Sequence, residues 1–292
     1  MIKNTLTLAL LFVASLATGS LSAADKIKVL ILDGPQRSHQ YKKTTPVLKQ
    51  TLEQIPQFEV DHSRSTKEGC EDGSYKPEFS KYDVVVMNEG FGAANWPKAT
   101  EKAFEKYMKN GGGMVAIHAA NNCWPKWKEY NKMTAIGGWG GRNEKSGPYL
   151  YIDDKGEVVR DTSKGKGGAH GPSHEFEIVV REKEHPIMKD LPPVFLHGPD
   201  ELYDKLRGPA ENVTIIASAF SSKEKKGTGR HEPALLTISY GKGRIFHTIL
   251  GHDAEKMKKG SFVTTFLRGT EWAATGKVTI PVPKDFPNQK FK

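Results

Sequence analysis

Two histidines in this sequence close apolar runs. His118 ends "MVAIH" within "GGGMVAIHAA" (residues 111–120), and His252 ends "IFHTILGH", just ahead of Asp253. Histidine exchanges protons near neutral pH and ligates divalent metals. Two of them beside an acid would suit general acid–base chemistry or a divalent metal held by His118 and His252. Other runs also end in polar groups: Asp33 follows "IKVLIL", and Asn88 and Glu89 follow "VVVM". His247 falls inside its run and reads as a core or sheet-face residue. His185, in "EHPIM", reads as a loop or helix-cap residue.

Such groups act together only if one sheet edge gathers them. "IKVLILDG" and "YDVVVMNEG" are continuous and rich in β-branched residues, as parallel strands buried on both faces are. "FEVDHSR" and "MVAIHA" complete a set of four. Between them lie the helical patterns "TTPVLKQTLEQI", with Pro46 expected in its first turn, and "PKATEKAFEKYMKN", stopped by Gly111–Gly113. Strand and helix alternate at βαβ spacing, which predicts an open α/β sheet. Ligands bind such sheets beyond the carboxyl ends of the strands, where His118 would stand. A phosphate loop would need its glycines after the strand; these precede it. "HEFEIVV", "ENVTIIASAF" and a hairpin through "YGKG" follow, then a helix over "SFVTTFLRGTEWAAT" ended by Gly276.

From Gly137 to Gly171 the chain is rich in glycine and charge, a long insertion with one hairpin around "DDKGE". It carries Trp139, Arg142 and Tyr149, which suits a functional loop covering a site and ordering on its ligand. Trp124 and Trp139, beside polar loops, are candidate platforms for a sugar face; Trp127 and Trp272 sit in helical patterns and read as packing. "GRHEP" sets Arg230 and His231 at the start of a strand, suited to an anionic or hydroxyl-rich ligand. Pro233 holds Glu232 in extended backbone there.

The chain begins with Lys3, a short apolar core (Leu6–Ala17) and "SLSAAD". That is the pattern of a signal peptide, residues 1–23, too short to span a bilayer. A periplasmic or secreted protein starting near Ala24 is expected. About 270 residues then remain, enough for one large domain or two small ones. The net charge of +9 comes from mixed lysine and glutamate along the chain. No basic block is interleaved with aromatics, which argues against nucleic-acid binding. Cys70 and Cys123 have no zinc-type spacing, and a free thiol at each is as good a reading as a disulfide.

Taken in order, "GGGMVAIHAA", "HPIMKDLP", "DELYDKL", "HEPALLTISYGKGRIFHTILGHD" and "FLRGTEWAATG" resemble the trehalose-utilisation (ThuA-like) family, over roughly residues 26–276. The resemblance implies a flavodoxin-like, class I glutamine amidotransferase-like fold: an open, mostly parallel sheet with helices on both faces and a long loop insertion. It implies a ThuA-like domain over residues 24–276, followed by a proline-rich tail, 277–292. Amidotransferases carry a nucleophilic cysteine after the strand where this chain reads "IHAA", so cysteine amidotransferase chemistry is not expected. Many members also carry a His-Pro pair after glycines equivalent to Gly137 and Gly138; the nearest histidine here is His170. The family implies a sugar or 3-keto-disaccharide as small-molecule partner, and raises Glu201 of "DELY" to a site residue. His118, Glu201 and His252 would then supply acid–base catalysis, metal-assisted or not, in a hydrolase, lyase or isomerase. Asp33, Asn88, Glu89, Trp124, Trp139, Arg142, Arg230 and His231 would bind substrate. The competing reading is a non-catalytic, exported carbohydrate-binding protein using the same crevice.

Overall fold

In the computed structural model, which describes residues 26–288, the run "IKVLILD" becomes β1 (Ile27–Asp33), buried from Val29 onward. β3 (Val84–Asn88) and β4 (Gly113–Ile117) are buried at every residue, as inner parallel strands must be. With β2 (Phe58–Arg64) and β13 (Gly243–Thr248) they form the parallel half of the sheet, in the order β2-β1-β3-β4-β13. An antiparallel half continues it through β12 (Arg230–Tyr240), β11 (Val213–Ser221), β8 (His174–Val180) and β9 (Val194–Asp200). The α/β class and the parallel core are as expected. The run "VFLHGPD" that forms β9 has no clean alternation, and the sequence reading assigned no strand there.

α1 (Tyr41–Glu53) and α6 (Gly260–Thr275) touch each other and pack on the parallel strands, joined by the short α5 (Ala254–Met257). α3 (Lys98–Lys109) lies against β13 and α4 (Lys128–Thr134) against β12 and β13, and the small α2 (Lys67–Glu71) follows β2. α1 starts three residues earlier than expected, which places Pro46 at its sixth residue instead of its first turn. The glycines before β4 are packing and turn positions. A Cβ at Gly112 would strike the Tyr107 ring, and one at Gly113 the Ala273 carbonyl.

The glycine-rich excursion is built, not loose. It forms the hairpin β5 (Tyr149–Ile152)–β6 (Val158–Asp161), centred where "DDKGE" places it, and then β7 (Ala169–His170), which pairs with β10 (Tyr203–Asp204). Two buried guanidiniums staple it. Arg142 donates to the carbonyls of Gly138 and Cys123 and to Asn131 Oδ1; Arg207 donates to those of Gly147, Ser163 and Gly165 and lies over the Tyr149 ring. Each satisfies carbonyls that a loop would otherwise bury unpaired. Cys70 and Cys123 are both free and buried. The proposed leader lies outside the described residues, and no described helix is long and apolar enough to cross a membrane.

Candidate active site

Register brings the strand ends level. Ile117 pairs with Thr248, so the chain leaves β4 and β13 side by side, at His118 and Ile249. His118 opens a tight 3-10 turn with φ +43, a left-handed conformation that costs a residue with a Cβ of order 1–3 kcal/mol. The turn swings the ring over the sheet edge. Its Nδ1 lies 2.5 Å from the Ile249 carbonyl, and a carbonyl can only accept, so Nδ1 carries the proton. Nε2 is then a bare acceptor, buried and without a hydrogen-bond partner.

Glu201 stands immediately after β9 and reaches the same point. Its Oε2 is 3.0 Å from His252 Nδ1, 3.7 Å from His170 Nε2 and 3.8 Å from His118 Nε2. The His252 contact is short but too poorly aligned for a hydrogen bond. The rings of His118 and His252 are 5.3 Å apart, well inside the separation of about 10 Å that topology and an ordinary pocket predict. His39, from the β1–α1 loop, completes the group, 5.0 Å from the His118 ring and 4.8 Å from the His252 ring. Burial lowers the His39 and His118 imidazoles to about 3 and about 4, which keeps both neutral. The Glu201 carboxylate raises His252, while Glu201, pushed up by burial, is pulled below its ordinary value chiefly by His252.

Asp200 anchors this arrangement from below. Fully buried, it accepts from the backbone N–H of Glu201 (2.8 Å), Gly251 (2.7 Å) and His252 (3.3 Å), fixing both catalytic candidates at once. His197 bonds Asp200 at 2.9 Å and Ser261 at 2.7 Å. This Ser-His-Asp series is spent on positioning, since its carboxylate faces the backbone of the site. Burial raises the Asp200 carboxyl, but His197 and the other donors bring it to about 2.

Above the cluster is a crevice of about 140 Å³ lined by His39, Asn122, Trp139, His170, Glu201, Tyr203 and His252, together with Ser38 and Phe91. Tyr203 packs 4.0 Å from the His118 ring and 4.7 Å from Trp139. Of the expected residues, Glu201, His252 and Trp139 line this crevice, and His118 is buried beside them.

Others do not. Asp33 is buried beneath Arg64, His62 and Thr45, and Asn88, which borders a small void beside His118, spends its amide on Thr44 and Thr45. Glu89 is buried against Ser65, and burial pushes its carboxyl up to about 8. Trp124 packs among Trp96, Trp127 and Tyr130 with its N–H on the Ala94 carbonyl. Arg142 is a loop staple. Arg230 is bound to Glu232 and stacked on Tyr151, and His231 lies against Phe220; neither lines the crevice. These side chains found partners inside the fold, which spacing along a chain cannot reveal. Cys123 is buried with its Sγ on the Gly90 carbonyl and its thiol pushed up by burial, no state for a nucleophile. His247 is a core residue, bonded to Asn121 and the Thr134 carbonyl.

Six crevice residues escaped sequence reasoning: Ser38, His39, Phe91, Asn122, His170 and Tyr203. The rule that exposed His118 would have found His39, because the loop after β1 opens on the same edge. His170 and Tyr203 arrive through the β7–β10 pairing, Tyr203↔His170, for which two-residue strands leave no sequence signal.

The family model described as "Trehalose utilisation" matches residues 28–273. A solved ThuA-like protein of Parabacteroides merdae is 46% identical, covers 90% of this chain and 95% of its own, and superposes with a TM-score of 0.86. A ThuA-like protein of Bacteroides uniformis shares the fold at 19% identity and TM-score 0.55, over 90% of this chain and 96% of that one. No curated protein matches the sequence.

Proposed function

The chain belongs to the trehalose-utilisation (ThuA) family, and from that premise we propose that it is an exported enzyme acting on a sugar or 3-keto-disaccharide by acid–base chemistry. The observation that carries the reading is the convergence of Glu201 with His252 at the open edge of the sheet, under an aromatic wall of Trp139 and Tyr203. A keto group acidifies the adjacent C–H. Proton removal there needs a carboxylate or imidazole base within reach and a donor for the developing oxyanion. Glu201 is ionised and half-buried, His252 is biased toward its protonated form, and both face the crevice.

Size narrows the substrate pose. A crevice of about 140 Å³ is small beside the roughly 300–1,000 Å³ of ordinary ligand pockets. A volume of that size suits one ring of a disaccharide rather than both. Incubation with oxidised and unoxidised disaccharides tests the proposal: consumption of the keto sugar, abolished in Glu201→Gln, supports it. Binding of a sugar with no turnover by the wild type would make the chain a carbohydrate-binding module. Export is tested by intact mass, which should start near Ala24 on protein recovered outside the cytoplasm.

A further inference from the structure

We propose that His39, His118, Glu201 and His252 form a binding site for one divalent first-row transition-metal ion of the zinc type, at the floor of the crevice. The inference rests on the same site as the reading above, though its test does not depend on turnover. One potential ligand atom from each of the four residues lies within 4.8 Å of the others. Bond lengths of about 2.0–2.2 Å place ligand atoms roughly 3.3–3.6 Å apart around a tetrahedral ion, so side-chain rotations of about an ångström close the set.

The strongest indication is the proton arrangement around His118. Its Nδ1–H is committed to the Ile249 carbonyl, the backbone brace that metal-bound histidines ordinarily have. That leaves the Nε2 lone pair, in a residue 2% exposed, aimed at Glu201 Oε2 across 3.8 Å. An acceptor then faces an acceptor. His39 Nδ1 is likewise buried and unpartnered, and His252 Nδ1, also buried, lies 3.0 Å from Glu201 Oε2 without a formed hydrogen bond. Native interiors rarely leave several polar atoms unpaired in one place, and a cation among them satisfies all of them together. The left-handed backbone of His118 and the Asp200 carboxylate hold the set in place.

Three imidazole nitrogens and one carboxylate oxygen select zinc, cobalt, nickel, manganese or ferrous iron over magnesium or calcium, which prefer oxygen-only shells. Glu201 and His252 border the crevice, so the site is open on one side, as catalytic metal sites are and structural ones are not. A bound ion would supply Lewis-acid polarisation of a substrate oxygen there.

The test uses the purified full chain, stripped with a chelator and then titrated with Co²⁺ and with Zn²⁺. One ion per chain is expected, with Co²⁺ showing the intense visible bands of a four- or five-coordinate nitrogen site. His39→Ala should weaken binding by at least about 100-fold, beyond the roughly 10–100-fold that loss of a ligand's supporting partner costs. His185→Gln, packed on Trp272 away from the site, should bind as the wild type does. Should His39→Ala fail to fold, stoichiometry and the Co²⁺ spectrum of the wild type decide. Substoichiometric binding, an octahedral aquo-like spectrum, or affinity unchanged in folded His39→Ala would overturn the site. Keto-sugar turnover that survives complete stripping overturns the metal and leaves the acid–base reading standing. One tightly held ion without turnover of any disaccharide upholds the metal and overturns that reading.

Discussion

Two polar clusters sit at the carboxyl ends of strands of the same sheet and differ in what their atoms face. At the ends of β1 and β3, both carboxylate oxygens of Asp33 are used: Oδ1 by Arg64 (2.8 Å) and His62 (2.9 Å), Oδ2 by Thr45 (2.7 Å) and Arg64 (3.0 Å). Asn88 donates to Thr44 and Thr45 at 2.9 Å each. At the ends of β4, β9 and β13, His118, Glu201 and His252 face one another, Glu201 and His252 open onto the crevice, and the buried His118 Nε2 has no hydrogen-bond partner. Topology supplies both clusters alike. Unused hydrogen-bonding capacity separates the one built for holding from the one built for acting.

The largest expected difference is in catalysis. Glu201→Gln should lower kcat/KM by about 10²–10⁴-fold, the usual contribution of a positioned acid or base. Its folding stability should fall only modestly, since Gln gives up a partly exposed ion pair with His252 that holds the carboxylate below its ordinary value. Steady-state kinetics beside urea denaturation checks both. A severe loss of stability with modest kinetic change would place Glu201 among the holding residues instead.

Asp33→Asn should show the reverse. Arg64 and His62 would lose an ionised acceptor, but both are partly solvent-exposed, so the loss should be about 2–3 kcal/mol, below the 3–5 of a fully buried pair. Turnover per folded molecule should change less than about threefold, an order below the acid–base effect. A fall of a hundredfold at unchanged stability would bring Asp33 back into the site.

The contrast explains what could be read from the sequence and what could not. β1, β3 and β4 were legible because strands buried on both faces must be apolar throughout, and their polar ends had to share one edge. His118 and His252 came from that rule alone. What followed them was a matter of side-chain direction: Asp33 turns under β2, whose His62 and Arg64 look like surface residues in "FEVDHSR". Arg142 reads as a ligand-binding charge in a glycine-rich loop, yet it caps carbonyls of that loop, a role fixed by a fold-back that composition does not record. His39 was available to the same topological rule and was missed because "GPQRSHQ" resembles an ordinary turn.

Glu89 lies beside the holding cluster, with Oε1 accepting from Ser65 and Oε2 buried without a partner, and titrates unlike an ordinary carboxylate. Burial lifts its folded value to about 8 from an ordinary value of 4.5. Between those values the folded state binds a proton that the unfolded state has released, so stability falls as pH rises. The contribution is whole below about pH 4.5 and lost by about pH 8, at up to about 1.4 kcal/mol per pH unit. Glu89→Gln, neutral throughout, should flatten this window and exceed the wild type in stability at pH 8. Urea midpoints at pH 5, 6.5 and 8 measure it; parallel curves for the two proteins would show that Glu89 is ionised in the fold.

The smallest effect divides two tryptophans. Trp124 is packed on Trp96, Trp127 and Tyr130 and satisfies the Ala94 carbonyl, so its loss is a loss of core. Trp139 is only partly buried, held by its contacts with Tyr203 and His170, and it walls the crevice. Both tryptophans hold positive φ, +53 at Trp139 and +37 at Trp124, so what divides them is what their rings touch. An aromatic contact of this kind is worth about 0.5–1.5 kcal/mol beyond its buried area. Trp139→Leu should therefore raise KM for the keto sugar by about two- to tenfold, with kcat nearly unchanged, because the ring grips ground state and transition state alike. Trp124→Leu should leave KM alone and lower the urea midpoint. If Trp139→Leu instead costs stability and leaves KM untouched, the indole is a brace for Tyr203 and the crevice has lost its sugar platform.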